Sequence, residues 1–304
     1  MLAQEGIFAP TQPHQYALEY DRSGEADEAT VFAALAALEA ALSSARERKT
    51  GAVIAFGLNF YRAHAAAPAP EKGGAFAPIL GTDGKSAPAT QHDLLVWLQG
   101  PSRDVVFDAA KAIDAALDGA FRRALEVSGF VYHDSRDLTG FVDGSANPEG
   151  DLRVETALVP KDAPGGEGAF MITQKWVHHL SPFEALPVDE QERVIGRTKP
   201  DSIEFEGDAM PENAHVARAD VDVDGAPQRL FRRSFPYGTL GEHGLYFLAF
   251  SADPDRFDLI LRRMYGATAD GTVDRLLDFS TPHSGSYWFA PSAPDLAALI
   301  ARAD

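Results

Sequence analysis

The chain has 304 residues, 45% of them hydrophobic, enough for one large domain or two of ordinary size around a packed core. Its 27 Lys and Arg against 45 Asp and Glu give a formal charge of −18, which repels phosphate backbones and anionic lipid, so neither nucleic acid nor a membrane surface is an expected partner. There is no cysteine, which excludes disulfides, thiolate catalysis and cysteine-held metals; any metal must be held by His or carboxylate.

MLAQEGIFAPTQPHQY, at the N-terminus, shows no basic n-region, apolar h-region or twin arginine, and no apolar run reads as long enough for a membrane span. The expected location is the cytoplasm. Residues 15 to 20 form a short strand in this reading, and Val31, Leu35, Leu38 and Leu42, with Phe32 beside them, mark one face of an amphipathic helix. GAVIAFGLNF (51 to 60) is β-rich and closed by Gly57, and the Pro-, Gly- and Ala-rich stretch 65 to 89 reads as a loop. HDLLVWLQG (92 to 100) is a strand, followed by a helix on Val106, Ala109, Ile113 and Leu117.

A comparable series follows downstream. GAFMITQKWVHHL (168 to 180) reads as a strand, PVDEQERVIGR (187 to 197) as a helix, and 244 to 264 as a strand running into a helix on Phe257, Ile260, Leu261 and Met264. Shifted by 150, this last segment overlays the earlier one, Leu95 on Leu245, Trp97 on Phe247, Leu98 on Leu248 and Phe107-Asp108 on Phe257-Asp258. The overlay is short and apolar, so coincidence is an alternative to duplication. Duplication implies an α+β protein of two ferredoxin-like β-α-β-β-α-β units, 1 to 140 and 141 to 304, each an antiparallel sheet covered by helices on one face.

Familiar catalytic patterns are missing. GTDGKS (81 to 86) ends like a phosphate-binding loop, but Ile79 stands where that loop needs its first glycine, and HExxH, GxSxG and GxGxxG do not occur. His178 and His179 point to opposite faces of a strand end, so they are not expected to hold one metal jointly. His14, His64, His92 and His133 lie in polar or loop contexts that read as exposed, and His243 and His283 as turn residues. His215 stands apart, in AHVARAD, 17 residues before Arg232 in FRRSFPYG. Taken singly, His215 reads more readily as a structural or surface histidine and Arg232 as a surface charge, while Asp143 in GFVDGSANP reads equally as a turn residue.

Together these segments resemble a known family. GFVDGSANP (141 to 149) is similar to the GxxDG signature of the dye-decolorising peroxidases, HVARAD to their proximal-histidine segment, and FRRSFPYG (231 to 238) to their distal-arginine segment. DFST (278 to 281), with the aromatic strand that ends at Pro291, is similar to the close of their haem domain. The absence of long insertions is similar to the compact class B branch.

The resemblance implies a haem b cofactor with His215 as the iron ligand, and Asp278 as the carboxylate that fixes the ligand's tautomer; Asp274, one helical turn earlier, competes for that role. It implies that Asp143 carries the peroxide proton and Arg232 stabilises the developing charge. Arg197, with Arg232, is the implied partner of the haem propionates, and the backbone N–H groups of Gly144 and Ser145 approach the haem edge. Ser234 stands where some class B members carry asparagine, which leaves open its part in ordering distal water. The implied activity is reduction of hydrogen peroxide through a ferryl intermediate with oxidation of dyes, phenolics or other small reductants, by a homo-oligomer. Trp97, Trp176 and Trp288 could relay electrons but read first as core residues. A haem carrier or porphyrin-processing protein, which needs His215 but not the Asp143 and Arg232 pair, is the alternative, and a haem-free binding module a third.

Overall fold

The computed structural model describes residues 2–303. Strand β1 (His14–Arg22) leads into helix α1 (Glu28–Glu47), whose start is fixed by the Asp27 side chain accepting the Thr30 N–H at 2.8 Å. Strands β2 (Gly51–Gly57) and β3 (Leu94–Gly100), helix α2 (Arg103–Leu117) and strand β4 (Phe121–Phe130) complete the first half. Its strands lie in the order β4-β1-β3-β2, all antiparallel, as a ferredoxin-like unit requires.

The second half repeats the plan. Strand β5 (Ala169–His178) is followed by helices α3 (Val188–Ile195) and α4 (His215–Ala219), the hairpin β6 (Phe235–Gly238) and β7 (His243–Ser251), helix α5 (Asp255–Met264) and strand β8 (Ser286–Ala290). The order β8-β5-β7-β6 is the first half's order again. The two sheets meet edge to edge, β2 with β8 through Gly57↔Trp288 and Phe56↔Phe289, and β4 with β6 through Tyr237↔Gly129. Eight strands thereby close into a barrel, which leaves none of the eight with an unpaired edge. At the β4–β6 seam a Cβ on residue 129 would lie 2.1 Å from Cδ2 of Phe235, so only glycine lets the strands approach.

Every residue of β3 is buried, because this strand has the barrel interior on one side and the covering helices on the other. Leu95 and Trp97 point into the barrel with Val53, Met171, Leu248 and Trp288, while Leu94, Val96 and Leu98 point outward beneath Val31, Leu35 and Leu38 of α1 and Ile113 of α2. Fully burying each such side chain stabilises the fold by roughly 1.5–3 kcal/mol.

Three expectations need correction. The overlay by 150 pairs the corresponding third strands but slips by one residue: Leu95 faces the barrel interior, whereas Leu245 lies on the outer face with Phe247. In a strand, a slip of one exchanges the faces, and matching apolar residue types hides it where both faces are buried. Residues 58 to 64 form a short helix and do not continue β2. Helix α1 is twenty residues long and apolar enough in composition to match a membrane span, but its apolar stripe is packed against the sheet and α2.

Candidate active site

The outer face of the first sheet is sealed by two long helices. In the second half the segment between β5 and β6 is broken into short helices and loops, and a cavity of about 440 Å³ opens there. Ile172, Gln174, Trp176 and His178 of β5 and Leu245 and Phe247 of β7 form its floor. Helix α5 contributes Phe257, Ile260, Leu261 and Met264, its whole apolar face, and α4 contributes His215, Val216 and Ala219. Such a volume with mostly apolar walls is that of a small-molecule or cofactor site.

His215 opens helix α4. Its Nδ1 lies 2.7 Å from Oδ2 of Asp274, which is fully buried and accepts the Leu276 N–H on its other oxygen at 2.8 Å. An ionised carboxylate can only accept, so Nδ1 carries the proton and Nε2 is the imidazole nitrogen left with a lone pair. Asp274, not Asp278, is therefore the carboxylate on His215. Asp274 caps a short 3-10 turn, Arg275–Asp278, and that turn carries Asp278 out to the surface, where it pairs with Nζ of Lys85 at 2.8 Å.

Asp143 lies on a loop pinned by its own N–H to the Ser135 carbonyl at 3.1 Å and turned by Gly144, whose φ of +82° suits glycine. Burial raises the pKa of its carboxyl above its ordinary value; the Arg232 cation opposes that shift and the Asp137 charge adds to it. Asp137 behaves oppositely. Burial would raise it, but His178 at 3.0 Å and the Thr139 hydroxyl and N–H, at 2.6 and 3.1 Å, hold it down to about 2. Nδ1 of His178 in turn contacts Oγ of Ser280 at 2.7 Å.

Arg232 sits on a two-residue strand, Phe231–Arg232, paired with Phe250 and Ala249 of β7. Its backbone N–H donates to Oδ1 of Asn147 at 2.9 Å, and Nδ2 of Asn147 donates to its carbonyl at 2.8 Å. Among the described residues its guanidinium has no hydrogen-bond or ion-pair partner, and Arg232 lines the cavity with its donors free.

Residues 4–131 match the family described as Dyp-type peroxidase, N-terminal, and residues 134–295 the one described as Dyp-type peroxidase, C-terminal. The chain belongs to the Dyp-type peroxidase family. It is an enzyme of that family, a peroxidase. The dye-decolorizing peroxidase of Mycolicibacterium paratuberculosis is 36% identical over 293 residues, 94% of this chain and 82% of that protein. That of Mycobacterium tuberculosis is 35% identical over 299 residues, 96% and 89% of the two chains. The structure of DypB from Rhodococcus jostii RHA1 superposes with a TM-score of 0.90 at 35% identity, covering 97% of each chain, and a variant of it in complex with haem superposes equally well over 97% of this chain and 98% of that one.

In this Dyp-type peroxidase the cavity brings together Asp143, Gly144, Ser145, Arg197, His215 and Arg232. Arg197 is shared: it donates to the Ser202 carbonyl at 2.9 Å and is ion-paired with Glu204. Ser234 does not line this cavity but an adjoining one. Sequence reasoning missed Asn147, His178 and Asp137. The first was legible only as a turn former; His178 was set aside as half of a doublet, although strand alternation puts the two on opposite faces and His178 is on the cavity face. His64 is buried, not exposed, with Nδ1 on the Phe60 carbonyl at 2.7 Å and Nε2 on Glu28 at 2.9 Å.

Proposed function

We propose that the chain is a haem peroxidase that reduces hydrogen peroxide and oxidises dyes, phenolics or other small reductants, with His215 as the iron ligand and Asp143 and Arg232 handling peroxide. The observation that carries this reading is the Nδ1 bond from His215 to buried Asp274, which would orient Nε2 and raise its basicity as an iron ligand requires. Among the described residues no group of three His, Asp or Glu is placed to hold a bare metal ion. A single imidazole facing a large apolar cavity suits a metal that brings its own ring. Gln174 fits as well: it is 1% exposed, it lines the cavity, and neither of its amide atoms has a partner in the protein.

When bound, haem supplies the redox-active iron at which the O–O bond is broken. The protein supplies proton handling and charge. Asp143, once ionised, takes the proton from one peroxide oxygen and returns it to the departing one, and its raised pKa brings its proton affinity nearer to that task than an ordinary aspartate's. Arg232 stabilises the negative charge that develops and cannot itself titrate. Arg197 and Arg232 supply cations for the propionates, and Gly144 and Ser145 bring backbone N–H groups to the cavity wall. A carrier needs His215 alone, so the unpaired guanidinium of Arg232 beside Asp143 favours catalysis.

The test is haem titration of the purified protein followed by hydrogen peroxide and a dye. Stoichiometric uptake and peroxide-dependent bleaching are expected. Failure to take up haem overturns the reading, and uptake without dye oxidation favours the carrier.

A further inference from the structure

Behind Asp143 and Arg232 lies a second cavity of about 370 Å³ that shares only those two residues and Gly144 with the first. In a chain of charge −18 its lining is unexpectedly cationic, with Arg136, Arg153, Arg232 and Arg233 against the single carboxylate Asp143. Two of these cations are committed. Arg136 pairs with Asp134 and donates to the Gly140, Lys199 and Pro200 carbonyls, and Arg233 donates to the Ile7 and Ala9 carbonyls and to Gln99.

Arg153 and Arg232 have no carboxylate partner among the described residues. Nε of Arg153 is fully buried without a hydrogen-bond acceptor, a costly state for a charged group unless something else satisfies it. Its guanidinium carbon lies 5.1 Å from the ring centre of Phe8 and 5.9 Å from that of Phe231, so the cation is held in place by aromatic faces. Burial, and after it the charge of Arg153, push Arg233 down to about 10. Phe130, Tyr132, Phe235 and Pro236 complete an apolar wall.

We propose that this cavity binds small aromatic carboxylates, the carboxylate on the guanidinium of Arg153 and the ring along the aromatic wall, and that it thereby favours phenolic acids among the reductants. A planar guanidinium matches a carboxylate with two parallel hydrogen bonds. The cavity ends on Asp143 and Arg232, so a phenolic acid seated there reaches the peroxide-handling pair. Two phenols, each losing one electron and its phenolic proton, reduce one hydrogen peroxide to two waters, which balances. The preference among reductants rests on the peroxidase reading; carboxylate binding does not.

Two measurements on the haem-loaded enzyme test this. In calorimetric titration with benzoate, Arg153→Gln should weaken binding by at least about tenfold, and so should Thr11→Glu, which sets a rival carboxylate in the exposed part of the same wall. In peroxide-driven turnover, Arg153→Gln should raise KM for 4-hydroxybenzoate by a similar factor while KM for its neutral carboxamide stays within about twofold. Benzoate affinity unchanged in both variants overturns the proposal, as does an equal rise for acid and amide. If neither the phenols nor a dye is turned over but benzoate binding still depends on Arg153, the binding site stands and the proposed oxidation of dyes and phenolics falls.

Discussion

Asn147 grips the backbone of Arg232 from both sides, its amide oxygen accepting the Arg232 N–H at 2.9 Å and its amide nitrogen donating to the Arg232 carbonyl at 2.8 Å. The loop that carries Asp143 and the strand that carries Arg232 are 85 residues apart in sequence and are joined by this one side chain. Removing it with Asn147→Ala should lower stability by about 1–2 kcal/mol, two ordinary hydrogen bonds, in denaturant unfolding. The same variant should react more slowly with peroxide at normal haem content, because the two groups lose their common support. Unchanged peroxide kinetics would show that the grip is structural only.

The two aspartates that flank the Arg275–Asp278 turn, Asp274 before it and Asp278 at its end, separate cleanly by substitution. Asp274→Asn removes the acceptor charge from His215 and should weaken haem binding about 10–100-fold. Asp278→Asn, on the surface with Lys85, should leave haem binding unaltered. His215→Ala should abolish stable binding, and haem titrations of the three variants rank them.

Peroxide reactivity should fall in acid with a midpoint above that of an ordinary aspartate. The pKa of Asp143 is raised, so its carboxylate is lost as pH falls through that raised value, and the base is lost with it. Arg232 holds the pKa of the carboxyl down, so Arg232→Leu should move the acid limb to higher pH as well as slow the reaction. Asp143→Asn should remove the limb. Rate constants for peroxide measured across pH decide it, and a limb that persists in Asp143→Asn belongs to another group.

Inside the barrel, Glu19 accepts from Tyr246 at 2.6 Å and Thr173 at 3.0 Å on one oxygen, while the other has no hydrogen-bond partner. Burial raises its folded pKa above the unfolded value of about 4.3. Its contribution to stability is therefore full below that unfolded value and lost as pH rises through the folded one. Glu19→Gln keeps the shape and cannot ionise. Chemical unfolding should show the variant gaining on the native chain between pH 4 and pH 8; a constant difference would refute this.

The repeated strand plan was hinted at in the sequence because Leu95 and Leu245 both lie in third strands, but their faces were not legible, since β3 is buried on both sides and lacks polar alternation. Strand β4 was not read at all: Arg122, Arg123 and Glu126 are partly or fully exposed and break its apolar run. Asp143, Arg232 and His215 stood out only together, through the resemblance of their segments to the family's motifs. Asp274 did not displace Asp278, because one caps and the other ends the same short turn and only the packed structure says which of them is inside. Asn147 and His178 act through contacts 85 and 41 residues away in sequence, distances over which local pattern carries no signal.

The two halves share a scaffold but not a roof. Helices α1 and α2 complete the first half out of its own side chains, whereas the second leaves about 440 Å³ between its sheet and α4 and α5. Whatever settles there becomes interior packing for those helices and counts as core by volume. A tightly held ligand present at a hundred times its dissociation constant would add about 2.7 kcal/mol to folding stability by mass action. Cofactor supply would then govern how long this chain survives as well as what it catalyses, and amide exchange should slow first in α4 and α5.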